Sequence, residues 1–78
     1  MASPNVQEYV HGALVIVTLI KDRDEAAFVI KHGDKASDPK HVSIEHYLKA
    51  GLSDREALNK VLDLVKEVVQ SAHFAGLF

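Results

Sequence analysis

Apolar positions follow three different patterns along this chain. In VQEYV, residues 6 to 10, they alternate: Val6, Glu8 and Val10 take one side of an extended segment, and Gln7 and Tyr9 the other. In GALVIVTLI, residues 12 to 20, they do not, because Thr18 is the only polar side chain in nine. From residue 57 to 72 they recur every three or four positions. Alternation and short β-branched runs predict strands, and the longer period predicts a helix.

The front half therefore reads as a meander of strands at Val6 to Val10, Ala13 to Ile20 and Ala26 to Lys31. His11-Gly12 supplies a two-residue hairpin turn, since Gly accepts positive φ freely and His better than most residues. KDRDE, residues 21 to 25, is a charged turn. A competing reading opens the chain with a short helix, with Ser3 as N-cap and Pro4 in its first turn. HGDKASDPKH, residues 32 to 41, carries Gly33, Ser37, Asp38 and Pro39 and reads as a loop, the segment with least to hold it.

The back half reads as two helices. Ser43 caps a short one in which Ile44, Tyr47 and Leu48 share a face, and Gly51 ends it. SDRE, residues 53 to 56, has the spacing of a capping box, with Leu52 placed to staple against Ala57. At about 100° per residue, Ala57, Leu58, Val61, Leu62, Leu64, Val65, Val68, Val69 and Ala72 fall within an arc of roughly 160°. That arc is wider than a coiled-coil seam and suits a helix lying across a sheet. The expected fold is α+β in a single domain, residues 1 to 78: a small antiparallel sheet of two or three strands against a short helix and a long C-terminal amphipathic helix.

One difficulty remains in this picture. The middle strand has two apolar faces: Ala13, Val15, Val17 and Leu19 on one, Leu14, Ile16 and Ile20 with Thr18 on the other. An open antiparallel sheet ordinarily shows water a polar face. Either the short helix and the apolar tail HFAGLF, residues 73 to 78, fold over the second face, or another copy of the chain covers it. Size favours the second explanation. A chain of 78 residues buries only about 60% of its unfolded surface, and small domains lean on disulfides, metals or oligomerisation. There is no Cys, which removes disulfides and thiolate zinc sites and fits a cytoplasmic setting. A homodimer is the expectation.

Candidate chemistry is sparse. GALVIVTLI is short of the roughly 20 apolar residues needed to span a membrane. It also lacks the flanks of a signal peptide. No GxGxxG, GxxxxGK[ST] or GxSxG occurs. Five His are present, and His32, Asp34, Asp38, His41 and His46 cluster in sequence, yet none of the HxH, HxxxH or HExxH spacings appears. No metal, cofactor or catalytic residue is expected. Asp22, Asp24 and Glu25 read as solvated turn carboxylates.

Residues 46 to 62, HYLKAGLSDREALNKVL, have a helix-turn-helix rhythm in which Arg55, Asn59 and Lys60 would contact nucleic acid. Asp54 and Glu56 sit where base-edge contacts would form, against phosphate repulsion, and net charge is −2, so nucleic acid is the less favoured partner. The favoured expectation is a non-enzymatic protein–protein interaction module, a regulator or inhibitor acting as a dimer. Loops on a rigid scaffold are the default place for its contacts: Lys21, Asp22, Arg23, Asp24 and Glu25 at the charged turn, and Asp34, Lys35, Lys40 and His41 in the following loop.

Overall fold

A computed structural model describes residues 4 to 77. Five strands precede two helices: β1 Asn5–Val10, β2 Ala13–Ile20, β3 Glu25–His32, β4 Lys35–Ala36, β5 Lys40–Ser43, α1 Glu45–Lys49 and α2 Asp54–Phe74. All pairings are antiparallel. β1 pairs with β2 and β2 with β3, and the far edge of β3 is shared by β4 and β5. The fold is α+β as expected, but the sheet has more strands than the sequence reading allowed.

The meander forms where the turn residues permit it. His11 and Gly12 lie at φ 49° and 82°, the left-handed conformation that a two-residue hairpin between Val10 and Ala13 requires. At the other end a 3₁₀ turn, Lys21–Arg23, is closed by Asp24 at φ 49°. The helix-first reading fails because Asn5–Val10 is a strand along its whole length. The Pro4 carbonyl accepts from the Leu19 N–H at 3.0 Å, which ties the chain to β2 before β1 begins. The Ser3 of that reading lies outside the described residues.

The predicted loop at residues 32 to 41 is loop only in part: residues 33 to 34 and 37 to 39 lie outside strands, while β4 and the start of β5 add edge strand to β3. After a turn at Gly33 (φ 64°), Lys35 pairs with His32 and Ala36 with Lys31. Ser37 then does the work of a ladder residue: its N–H donates to the Ile30 carbonyl at 2.9 Å, and its hydroxyl accepts from the Ile30 N–H at 3.0 Å. β5 resumes pairing at Lys40 and runs to Ser43, opposite Phe28 to Glu25. The polar composition hid strands that form because β3 would otherwise leave its backbone groups open.

Ser43 is likewise the end of β5, and the α1 N-cap is Ile44. The Ser43 hydroxyl still accepts from the Glu45 N–H at 3.3 Å. Ile44 is fully buried, and its N–H donates to the Asp24 carbonyl at 2.9 Å, so one residue fixes α1 against the charged turn. α2 opens as the sequence predicts. The Glu56 N–H donates to Ser53 Oγ at 3.2 Å and the Ser53 N–H to Glu56 Oε1 at 3.0 Å.

That second bond, with the Ser53 hydroxyl next and Lys60 adding a smaller attraction, holds the Glu56 carboxyl below its ordinary value. A carboxyl lowered by folding stabilises the fold above its unfolded pKa, and this contribution is lost as pH falls through the folded value. Ser53→Ala is expected to cost about 1 kcal/mol in urea melts at pH 7. Glu56→Gln, which removes the charge, should cost stability at pH 7 and lose that cost below the carboxylate range; a pH-independent cost of Glu56→Gln would contradict the ionised box.

Candidate functional site

Strand register divides every side chain between two faces of the sheet. The inner face carries Val6, Glu8 and Val10 from β1, Ala13, Val15, Val17 and Leu19 from β2, Ala26, Phe28 and Ile30 from β3, and Val42 from β5. α2 lies on this face, and Val15, Val17, Ile44 and Leu58 are the largest fully buried side chains. α2 is seated over β1 and β2, however, not over the middle of the sheet. The Lys66 ammonium pairs with the Glu8 carboxylate on β1, which raises the pKa of Lys66 above the ordinary lysine value.

The off-centre seat has a geometric consequence. A helix is about 10 Å across and strands are about 4.8 Å apart, so one helix covers two strands. The strip over β3 and β5 is left over. Phe28, Ile30 and Val42 stay half-buried there, and Leu64 and Val68 on the near flank of α2 are 53% and 66% exposed. Together with Tyr47 of α1 they line an apolar groove of about 270 Å³. It continues past Ile30 and Val68 into a second depression of about 350 Å³ that reaches Ala13, Ser37 and Ala72.

The groove has a charged outer rim. Lys40 stands opposite Phe28, and Lys35 opposite His32, so both belong to the inner face, and both are exposed. The sequence reading picked these two lysines as contacts without the groove they border. Leu64 and Val68 were visible in the sequence as one edge of an arc too wide for two strands, and that is the signal that could have found the groove.

Among the described residues, nothing packs over the outer face. Its rows across the sheet are Tyr9, Leu14, Lys31 and Ala36, then Gln7, Ile16 and Val29, then Asn5, Thr18, Ala27 and His41, then Ile20, Glu25 and Ser43. Neither intramolecular cover expected for it is in place. Ile44, Tyr47 and Leu48 at the start of α1 pack into the core on the helix side. The expected tail begins as the last two residues of a helix: α2 runs through Phe74 and ends in a glycine turn, with the Leu77 N–H on the Ala72 carbonyl and the Gly76 N–H on that of His73. His73 stacks on His11 at the β1–β2 turn, ring centroids 4.1 Å apart, and Phe74 sets its edge to the same ring. Phe74 and Leu77 remain 74% and 77% exposed. Phe78 lies outside the described residues. The Cα trace accordingly measures 37 × 25 × 16 Å, and its short dimension is one helix layer on one sheet layer.

The other predicted contact residues are scattered. Asp22, Arg23 and Asp24 are exposed at the β2–β3 turn, which also includes Lys21, while Asp34 and Lys35 lie at the opposite end of β3. β5 returns His41 to the first end, where its Nδ1 lies 3.3 Å from Glu25 Oε1. Arg55, Asn59 and Lys60 are exposed on the first turns of α2, and the latter two share a shallow hollow with Glu56 and Asp63. That interleaving of signs, and an α1 of only five residues, give a nucleic-acid reading little to build on. Among the described residues no three His, Asp or Glu side chains converge as metal ligands. No described helix is long and apolar enough to cross a membrane.

No family model matches this chain, and neither curated proteins nor solved structures yield a match. The surfaces themselves are what bears on function.

Proposed function

We propose that this protein is a small non-enzymatic interaction module, of regulator or inhibitor type, that works as a homodimer and receives an amphipathic helix of another protein in the groove beside α2. The observation that carries the reading is the strip over β3 and β5: apolar, open, and one helix wide. Helix-in-groove recognition needs such a strip, filled by side chains spaced i, i+3, i+4 and i+7. Lys35 and Lys40 on the outer rim favour a helix flanked by carboxylates, since opposed charges at a rim set orientation and association rate.

The test uses a designed peptide helix with leucines at that spacing and glutamates beside them. Backbone amide NMR should show shifts concentrated at Phe28, Ile30, Val42, Leu64 and Val68. Leu64→Asp/Val68→Asp, both at exposed positions, should weaken binding at least tenfold while moving the thermal midpoint by only a few degrees. A peptide with lysines in place of the glutamates should bind more weakly. Equal binding of the two peptides, or shifts spread over the whole surface, would overturn the reading.

A further inference from the structure

The bare outer face is continuous, apolar at its centre and polar around its margin. Leu14, Ile16, Ile20, Ala27 and Val29, with Thr18 among them, run through its middle, all half-buried with no described residue packed over them. Asn5, Gln7, Tyr9, Lys31, His41 and Ser43 are exposed at the margin, and Glu25 closes it. This is the layout of a specific protein interface rather than of a solvated sheet, whose outward positions would be polar throughout.

We infer that a second copy of the chain stacks on this face, sheet on sheet. The inference rests on the homodimer part of the proposed function and assigns its surface, leaving the groove beside α2 free for the partner helix. Two observations support the choice of occupant. The first is area. β2 and β3 are eight residues long, about 26 Å at ~3.3 Å per residue, and four strand positions span roughly 19 Å. With only six residues in β1 and two and four in β4 and β5, the face is on the order of 450 Å² in projection, and the relief of its side chains brings it toward the roughly 600 Å² per partner at the lower end of stable interfaces.

The second observation is charge placement. Glu25 and Lys31 lie on the same face of β3, each three residues from Phe28. A two-fold axis running across the strands at that level, in the plane between the two sheets, reverses the strand direction of the partner. It sets Lys31 of each copy over Glu25 of the other, at both ends of the interface. It also keeps the strands of the two sheets nearly aligned, as stacked sheets prefer. An axis along the strands, between β2 and β3, would instead lay Lys31 over Leu14 and Glu25 over Ile20 and leave both charges without a partner across the interface. The arrangement is self-complementary in one orientation only, as an isologous dimer requires.

Sedimentation equilibrium over a range of concentrations tests the proposal. The wild-type chain should be dimeric. Lys31→Glu and Glu25→Lys should each weaken dimerisation on the order of tenfold through two repelling pairs, and the double variant should recover most of that loss. Ile16→Lys, at the centre, should give a monomer, while Leu64→Asp/Val68→Asp should stay dimeric. The charge-reversal rescue separates a broken interface from a broken fold. A wild-type monomer at every concentration would overturn both the dimer and this face, while peptide binding in the groove would be judged by its own signal. A dimer that survives Ile16→Lys, gains nothing from the double reversal, or dissociates in the groove variant would overturn this face alone.

Discussion

Leu58→Ala is expected to remove about 3 kcal/mol of stability, the largest loss of any single truncation on the helix. Leu58 is fully buried in the second turn of α2, among Val15, Val17 and Ile44 in the same core cluster. The truncation removes the transfer free energy of the lost carbons and leaves a cavity that a strand and a capped helix can only partly close. For a domain of this length total stability is roughly 4–12 kcal/mol, so the loss takes a quarter or more of it. The thermal midpoint should fall by about 10 °C or more. A drop of only one or two degrees would mean that α2 is not packed on β2 as described.

Ile44→Ala should cost nearly as much, about 2–4 kcal/mol, but its effect should be local in a way that Leu58→Ala is not. Ile44 is the one fully buried side chain between β5 and α1, and its N–H reaches back to the Asp24 carbonyl. Emptying its site loosens the join between the last strand, the short helix and the charged turn. Hydrogen exchange should quicken first at Lys40–Ser43 and Glu45–Lys49, before the β1–β2 hairpin responds. Uniform acceleration across the sheet would show that β5 and α1 have no separate cooperativity. The groove should suffer as well, since Val42 and Tyr47 line it from either side of Ile44.

Local chemistry made some of this fold readable in the sequence. β2 could be bounded to the residue because Gly12 precedes it and KDRDE follows it. The His11-Gly12 turn and the Ser53–Glu56 box are governed by backbone preferences within four residues, so propensity alone locates them. β4 and β5 were illegible for the opposite reason. Lys35, Ala36, Lys40 and His41 have little strand character and flank Pro39. They pair because β3 needs an edge partner, a demand that comes from residues 25 to 32 and that no local window contains.

The candidate surfaces show the same divide. The two-faced apolar pattern of β2 was evident, and it led directly to the bare outer face. The groove is not legible in the sequence because periodicity assigns the whole arc from Leu64 to Leu62 to the core. Which part of an amphipathic arc is buried depends on where the helix sits, and α2 sits to one side. The position of α2 is set by Glu8–Lys66 and by the rings of His11 and His73, contacts 58 and 62 residues apart in sequence.

The order of the elements along the chain has a consequence for synthesis. The three strands of the meander are made before the helix that shields them. Between translation of His32 and of Phe74 a ribosome adding about 5–20 residues per second needs roughly 2–8 s. During that interval the hairpins can form with neither side covered, and the nascent polypeptide is at its stickiest. Slowing translation across residues 44 to 74 should therefore lower the yield of folded protein more than slowing it across residues 5 to 32.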